Sequence, residues 1–288
     1  MAEIKNTPKI SIVIPCYNDN LFIWKSVDSA INQVYENKEI IVVDDGSNDQ
    51  TKRAIEELGS KIDVLITQEN LGPAAARNRG IEVAKGKYIL VLDSDDYFEA
   101  SYCKKAVKVL QQKEEVKVVT CYARWFKSKT NFRVFKPTGG TLKDFLLKNC
   151  TLSNSLFYRS DWEKCGGYDE KMTGGFEDWE YYIRLHADGG ETYVIPEVLF
   201  HYRKKERSVS SIANGNKFEL LKYIYFKHAD LYKEHYELFI EYFLQELAAQ
   251  EREKVRKTHS PEFKIGLAFL QPVRKLKSIF INHNKGNN

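Results

Sequence analysis

The sequence predicts an α/β fold, in which a mostly parallel sheet carries helices on both faces and a helical C-terminal extension follows. The first hundred residues alternate short β-branched runs with segments of helical spacing, a pattern typical of parallel sheets. Beyond about Asn214 the strand signals stop, and the chain becomes helical and rich in Tyr and Phe. We therefore expect one domain over residues 1–213, with halves at 9–100 and 101–213, and an extension over 214–288.

The elements of the first half follow from apolar runs and the residues that bound them. Strands are predicted at Lys9–Ile14, Glu39–Val43, Val64–Thr67 and Tyr88–Leu92, and helices at Asn20–Gln33, Asp49–Leu58 and Ala74–Ala84. Ligands of such sheets bind beyond the carboxyl ends of the strands. Polar clusters follow the strands at 15–18, 44–46, 68–70 and 93–95, so we expect them to share one edge of the sheet.

The second half is less regular. Pro196 lies in its last predicted strand and indicates an edge or a bulge. Strands are predicted at Val116–Tyr122, Ser155–Tyr158 and Thr192–His201, and helices at Leu142–Leu147 and Asp178–His186.

The composition is that of an ordinary soluble protein, with 43% apolar and 29% charged residues. A net charge of +4 is too small to predict nucleic-acid binding. The five cysteines are scattered and form no Cys-x-x-Cys pair, which argues against a disulfide framework or a zinc site and suits a reducing cytosol. The first nine residues lack the apolar stretch of a signal peptide. We therefore expect a cytoplasmic protein.

Two C-terminal segments bear on partners. Phe263–Phe280 mixes apolar and basic residues, as do segments that lie in a membrane interface facing anionic lipids, with a solvated surface helix as the alternative. Peripheral contact with the inner face of the cell membrane is therefore one expectation. Phe218–Leu247 is dense in aromatic residues, and we expect it to pack on the main domain or on a second subunit, which leaves a homodimer open.

The most informative segment is Tyr88–Asp96, in which an apolar strand runs directly into Asp93, Asp95 and Asp96. Carboxylates so close together repel one another unless a cation or strong donors lie among them. A divalent metal that carries a phosphorylated ligand meets this requirement, because hard cations prefer oxygen ligands. A solvated Asp-rich turn is the alternative.

Five segments, in this order, resemble the motifs of family-2 glycosyltransferases with the GT-A fold, a Rossmann-like fold that binds nucleotide-diphospho-sugars. They are residues 11–18 (SIVIPCYN), 42–47 (VVDDGS), 70–78 (NLGPAAARN), 92–96 (LDSDD) and 174–180 (GGFEDWE), and the resemblance covers roughly residues 9–210. Such enzymes transfer a sugar from a nucleotide-diphospho-sugar with inversion at the anomeric carbon. The resemblance implies Mn²⁺ or Mg²⁺ as cofactor.

The resemblance also implies roles for the acidic residues. Asp95 is expected to bind the metal, and Asp93 to share the metal shell or face the ribose. Asp178 is expected to be the general base that takes the acceptor proton, with a helix N-cap as the alternative. His201 is expected to be a late metal ligand, with a plain strand-end histidine as the alternative. Glu177 is expected to orient the acceptor or the base.

Donor binding is expected at the first strand ends. By resemblance, Pro15 lies against the base and Asp45 accepts from a base N–H, with Asp44 as the second candidate and an Asx turn as the alternative for Asp45. Tyr17 is expected to stack on the base or simply to pack. Arg77 is expected to bind the diphosphate, with a structural ion pair as the alternative. Asn18, Asn70 and Ser94 complete the expected donor side.

Two further expectations concern Trp179, on the acceptor side, and a segment that would close over the donor. Trp179 is expected either to stack on a sugar ring or to pack in the core. The segment that begins at His201 resembles a mobile lid, in which Arg203, Arg207 and Ser208 would meet the diphosphate.

The sequence therefore predicts an inverting, metal-dependent glycosyltransferase of the hexosyltransferase class. We expect it to use a UDP-sugar to extend a glycan or a lipid-linked acceptor in surface polysaccharide synthesis. A nucleotidyltransferase is one alternative, but it needs a Gly-rich loop where residues 15–20 contain no glycine. A non-catalytic sugar-nucleotide-binding or scaffold protein is another, and it would be expected to lack Asp95 or Asp178.

Overall fold

The computed structural model describes residues 7–205 and 213–271, and the chain divides into two compact units, residues 1–234 and 235–288. The strands are β1 (Ile10–Cys16), β2 (Lys38–Asp45), β3 (Val64–Gln68), β4 (Tyr88–Val91), β5 (Tyr97–Phe98), β6 (Val116–Phe126), β7 (Phe132–Phe135), β8 (Leu156–Tyr158) and β9 (Glu191–Arg203). The α-helices of the first unit are α1 (Ile23–Ile31), α2 (Asp49–Leu58), α3 (Pro73–Val83), α4 (Tyr102–Gln112), α5 (Leu142–Leu147), α6 (Arg159–Cys165), α7 (Glu177–His186), α8 (Lys217–Lys227) and α9 (Ala229–Glu234). The domain boundary that we expect near residue 213 stays a prediction.

The strands form one mixed sheet, in the order β3-β2-β1-β4-β8-β6-β9-β5, with β7 paired to β6. The first four strands of this order are parallel, with Cys16 opposite Asp44 and Asp45 opposite Gln68. Antiparallel β8 joins them to the rest of the sheet. The carboxyl ends of β1 to β4 therefore lie at one edge, as expected.

Helices cover both faces of the parallel part. Ile12, Ile14 and Val42 belong to one buried cluster with residues of α1, α2 and α4. Because side chains alternate along a strand, Val13 and Val43 face the other way. There they meet Gly80 of α3, where an added Cβ would lie 2.4 Å from Val13 Cγ1. This close approach seats α3, which begins at the candidate site, directly on the sheet.

The structure confirms the predicted strands and helices of the first half and adds elements that we did not predict. Helix α4 buries Tyr102, Ala106 and Leu110. These residues are four apart, and this helical spacing could have predicted the helix from the sequence. Strand β5 is only two residues long, too short for a periodic pattern. Strand β7 and helix α6 are also additional. In β9 the register with β6 shifts around Pro196, so the predicted irregularity is confirmed.

The C-terminal region is helical, as expected. In α8 only Ile224 is buried, and the second unit contains α10 (Tyr236–His259), which has no buried residue. Residues 261–271 are also helical. No helix in the described ranges is both long and apolar enough to span a membrane. Residues 272–280 of the segment considered for membrane contact lie outside the described residues, so that contact stays a prediction.

Candidate active site

Two cavities open at the carboxyl ends of the parallel strands, each of about 430 Å³. The first cavity is lined by Pro15, Cys16, Tyr17, Asp19, Asp45, Asn70, Leu71, Gly72, Pro73, Ala76, Asp93, Ser94, Asp95, Thr173 and Lys205. The second cavity is lined by Pro73, Arg77, Asp93, Asp95, Asn149, Ser153, Gly175, Phe176, Glu177, Asp178, Tyr202, Lys205, Ala213 and Asn214. Pro73, Asp93, Asp95 and Lys205 line both. We call this shared region the junction.

Asp45 organises the first cavity. Its Oδ1 accepts hydrogen bonds from Gln68 Nε2 (2.7 Å) and Leu71 N (2.9 Å), and its Oδ2 accepts one from Gly72 N (2.9 Å). These bonds hold the loop before α3 against the end of β2. An ionised carboxylate has about four acceptor sites, so Asp45 can still accept from a ligand in the cavity.

Gly46 allows the same loop to approach β2 closely. Its φ is +72°, and an added Cβ would lie 2.6 Å from Asn70 N. Any other residue would therefore strain the backbone and push Asn70 away. This close contact explains why glycine follows Asp45 in the motif. It also brings Asn70 to the rim of the first cavity.

Asp44 and Asn18 serve the turns beside the cavity. Asp44 Oδ1 accepts from Ser47 N at 3.0 Å, so Asp44 makes the turn that was the alternative for Asp45. Asn18 has a φ of +53°, and its Oδ1 accepts from Asn48 N at 2.8 Å. Neither residue lines the first cavity. Their expected roles in donor binding stay predictions, and the structure gives both a part in joining the ends of β1 and β2.

The junction contains the carboxylates that follow β4. Asn154 fixes Asp93 from two sides, because its Oδ1 accepts from Asp93 N (2.8 Å) and its Nδ2 donates to Asp93 Oδ2 (3.0 Å). Burial raises the pKa of Asp95, and Lys205 works against this shift. Asp96 is fully buried and accepts from Arg203 N at 2.7 Å, so it is a structural residue that anchors the end of β9.

Lys205 of the junction contacts Asp19 of the first cavity, and we predicted neither as a site residue. Lys205 Nζ lies 2.9 Å from Asp19 Oδ1 and 2.9 Å from Asp95 Oδ2. Asp19 Oδ2 accepts from Ser94 Oγ at 2.9 Å. Burial opposes the charge of Lys205, but Asp95 and Asp19 outweigh burial and raise its pKa. Asp19 directly follows the first motif, whereas the sequence carries no sign that Lys205 reaches it.

Arg77 forms the ion pair that was the alternative to diphosphate binding. Its Nη1 lies 2.5 Å from Glu177 Oε1, and its Nη2 lies 3.1 Å from Asp93 Oδ1. The side chain is buried and faces the second cavity. Both terminal nitrogens are therefore engaged by carboxylates, and a direct contact with a diphosphate stays a prediction.

Asp178 lies in the first turn of α7 and faces the second cavity. Its Oδ2 accepts from Asn149 Nδ2 at 3.0 Å, and its Oδ1 accepts from Trp179 N at 2.8 Å. Burial and the neighbouring Glu177 carboxylate raise the pKa of Asp178 to about 6. A carboxylate with this pKa can take a proton near neutral pH and is held in place by two donors.

Trp179 does not reach the second cavity. It is only 6% exposed, and its Nε1 donates to Phe145 O at 2.6 Å. The expectation that Trp179 stacks on a sugar is therefore replaced by its alternative, core packing. Helix α7 turns Asp178 toward the cavity and the adjacent Trp179 into the interior, because consecutive helical residues point in different directions.

His201 lines neither cavity. Its ring stacks on Tyr97 at 4.4 Å, and its Nε2 lies 2.6 Å from Glu99 Oε1. The structure thus places His201 as a strand-end histidine, and a metal-binding role stays a prediction. The guanidinium of Arg203 lies over Phe22, and Arg203 Nε donates to Asp95 O at 3.1 Å. Arg207 and Ser208 lie outside the described residues.

The junction fits a divalent cation. Across residues 7–205 and 213–271 no three His, Cys, Asp or Glu side chains converge as a complete metal site. However, Asp93 and Asp95 supply carboxylate oxygens, and the ammonium of Lys205 already occupies a position between Asp95 and Asp19. A hard cation that takes its remaining ligands from phosphate or water matches this donor set.

Comparison with known proteins identifies the family. The model of glycosyl transferase family 2 matches residues 11–167, more than half of the chain, and the chain belongs to this family. TuaG of Bacillus subtilis, a candidate glycosyltransferase of teichuronic acid biosynthesis, is 29% identical over 233 residues, which is 80% of this chain and 90% of TuaG. The glycosyltransferase GlyG of Streptococcus pneumoniae is 32% identical over 158 residues, 54% of this chain and 51% of GlyG.

Solved structures agree on the fold. TarS of S. aureus (residues 1–349), crystallised with UDP-GlcNAc, superposes with a TM-score of 0.60 at 21% identity, over 70% of this chain and 60% of that one. The same fragment with UDP gives a TM-score of 0.58 at 20% identity, over 68% of this chain and 61% of that one. The predicted GT-A-like α/β fold is thereby confirmed, and the protein is a glycosyltransferase.

Proposed function

We propose that this protein is an inverting, metal-dependent glycosyltransferase that moves a sugar from a UDP-sugar to a hydroxyl group of a surface glycan or lipid-linked acceptor. The observation that carries the proposal is the meeting of two cavities at Asp93 and Asp95, with Asp45 in the first and Asp178 in the second. The first cavity would hold the nucleotide and the second the acceptor. The UDP and UDP-GlcNAc in the TarS structures and the pathway of TuaG support the choice of donor and product class.

The first cavity suits a pyrimidine nucleoside. Asp45 lies at its wall with spare acceptor capacity, and the imide N–H of uracil is a matching donor. Tyr17 is 52% exposed beside Pro15, so its ring is available to cover a base. Asn70 and Ser94 line the same cavity and offer hydrogen bonds to the ribose or the sugar.

Asp95 and Asp93 would hold Mn²⁺ or Mg²⁺ at the junction. The cation, when bound, would stabilise the negative charge that the diphosphate accumulates as it leaves. Asn154 keeps Asp93 in a fixed orientation for this role.

Asp178 would act as the general base in the second cavity. The acceptor hydroxyl gives its proton to Asp178, and its oxygen attacks the anomeric carbon of the donor. The bond between that carbon and the diphosphate oxygen breaks, and UDP leaves with the electron pair. A single displacement of this kind needs one base and no enzyme nucleophile, which is the requirement of inversion.

Arg77 would act as a positioning residue between the two cavities. Its guanidinium joins Asp93 at the junction to Glu177, the residue before the base. Because the fork of an arginine is planar and rigid, this bridge fixes the spacing between the proposed metal-binding end and the proposed base.

The test is nucleotide release from a panel of UDP-, GDP- and dTDP-sugars with Mn²⁺, with no acceptor added. Slow donor hydrolysis is expected from the UDP-sugar that the site prefers, and the Asp95→Ala variant should lose it. Wild-type protein that neither cleaves nor binds any donor in the panel would contradict the proposal.

A further inference from the structure

We propose that Lys205 occupies the cation position of the unloaded site and is displaced when a divalent metal and the donor diphosphate enter. This inference rests on the proposed function and deepens it, because it concerns how the same site is loaded. Lys205 Nζ lies 2.9 Å from Asp19 Oδ1 and 2.9 Å from Asp95 Oδ2.

A metal ion bound to Asp95 would compete with the ammonium of Lys205 for the same carboxylate. Asp95 Oδ2 is the oxygen that Lys205 contacts, and Asp95 is the expected metal ligand. An ammonium and a divalent cation cannot both lie within contact distance of one oxygen without strong repulsion. Metal binding at Asp95 Oδ2 therefore requires Lys205 to move away from that oxygen.

The negative charge of the surrounding carboxylates explains why a lysine lies beside Asp95. Asp93 and Asp95 lie at the junction and Asp19 lies beside it in the first cavity, while Arg77 divides its charge between Asp93 and Glu177. Lys205 offsets part of the remaining negative charge in the unloaded protein. A diphosphate adds further negative charge, which one ammonium cannot balance, so the loaded site calls for a dication.

A movement of Lys205 on metal and donor binding would also change the second cavity, in which the acceptor is proposed to bind. It lines both cavities, and its side chain is only about one-third exposed (34%). When the ammonium leaves Asp95, the wall shared by the two cavities changes. We expect the displaced ammonium to stay near the diphosphate, because Lys205 also lines the first cavity, in which the nucleotide is proposed to bind.

The experiment measures Mn²⁺ binding by electron paramagnetic resonance of free Mn²⁺, in wild type and in Lys205→Met, without nucleotide. The expected result is binding at least about tenfold tighter in Lys205→Met, because the competing ammonium is gone. Lys204→Met is the matched control, since Lys204 is the neighbouring lysine, is exposed and lies over Trp125 outside both cavities. It should bind Mn²⁺ like wild type.

A second arm adds UDP. In wild type UDP should strengthen Mn²⁺ binding more than it does in Lys205→Met, because only wild type must first displace Lys205. Equal Mn²⁺ affinity in wild type and Lys205→Met, including no binding by either, would overturn the proposal. That result would leave the glycosyltransferase proposal standing, since the latter is judged on nucleotide release from the donor panel by wild type.

Discussion

Arg77 Nη1 lies 2.5 Å from Glu177 Oε1, which joins helix α3 to the first turn of α7 across 100 residues of sequence. Both side chains are almost completely buried. The other terminal nitrogen of Arg77 contacts Asp93. One buried guanidinium thus connects the end of strand β4 with the helix that carries Asp178, and it does so inside the wall of the second cavity.

Replacing Arg77 by Met should destabilise the protein strongly, because it leaves the buried Glu177 carboxylate without its partner. Breaking one side of a buried pair costs about 3–5 kcal/mol. We expect Tm, measured by differential scanning calorimetry, to fall by roughly 10 °C in the Arg77→Met variant. The matched control is Arg79→Met, two residues away, where an exposed pair with Glu82 contributes little. Equal Tm values for the two variants would show that the bridge is not structural.

Asp178→Asn should slow transfer strongly while leaving donor binding in place. Removing a general base lowers kcat by about 10²–10⁴-fold. The amide keeps the size of the side chain and can still pair with Asn149, so the fold should persist. Asp188→Asn, just beyond the other end of the same helix and largely exposed, is the control. Steady-state transfer and UDP titration, run on each variant, separate catalysis from binding, and a variant with undiminished kcat would exclude Asp178 as the base.

The rate of transfer should depend on pH, with one inflection near pH 6. Asp178 works as a base only when ionised, and burial together with Glu177 raises its pKa to about 6. Activity should therefore fall as the pH drops below that value. The charged and titratable groups around it are Glu177, Arg77, Tyr168 and Tyr182.

The Asn149→Ala variant tests whether the inflection near pH 6 belongs to Asp178. The amide of Asn149 donates to Asp178 and so lowers its pKa. Without that donor the inflection in kcat/KM should move to higher pH. An inflection that stays in place, or moves to lower pH, would assign it to another group.

Glu180 should tie the C-terminal helix α8 to α7. Its Oε1 lies 2.7 Å from Lys227 Nζ and 2.9 Å from His228 Nε2, and its Oε2 lies 2.7 Å from Arg184 Nη2. Burial opposes ionisation, but the hydrogen bonds from His228 and Arg184 outweigh it and hold the pKa of Glu180 well below its usual value. The carboxylate therefore stabilises the fold above the unfolded pKa, and this contribution is lost as the pH falls.

Urea unfolding of Glu180→Gln at pH 7 and pH 3.5 checks this claim. At pH 7 we expect a loss of about 3–5 kcal/mol, the cost of breaking a buried charge network, and a smaller loss at pH 3.5. Glu219→Gln in α8 is the control, because Glu219 is 82% exposed. A loss that does not depend on pH would contradict the electrostatic explanation.

Most of the fold was predictable because it rests on local patterns. Apolar runs marked β1 to β4, and the register of parallel strands then brought Cys16, Asp44 and Asp45 to one edge. The sequence could not divide the roles of Asp44 and Asp45, because both lie at a strand end. Hydrogen bonds with the backbone distinguish the two residues. Asp44 accepts from Ser47 N within its own turn, whereas Asp45 accepts from Leu71 N and Gly72 N of the loop before α3.

The rest of the site depends on contacts between distant residues. Trp179 follows Asp178 in the chain, and only the packing of α7 against α5 shows that the indole donates to Phe145 O in the interior. Lys205 meets Asp19 across 186 residues. No local pattern encodes such a pair, because it arises from the position of the end of β9 beside the turn after β1.

The role of Asp95 is tested most directly by the binding of UDP to wild type and Asp95→Ala, measured by isothermal titration calorimetry with and without Mn²⁺. If Asp95 holds the metal between the two cavities, Mn²⁺ should tighten UDP binding to wild type by at least about tenfold and should have no such effect on Asp95→Ala. If Mn²⁺ does not change UDP binding to wild type, or if Asp95→Ala keeps the full Mn²⁺-dependent gain in UDP affinity, Asp95 does not hold the metal.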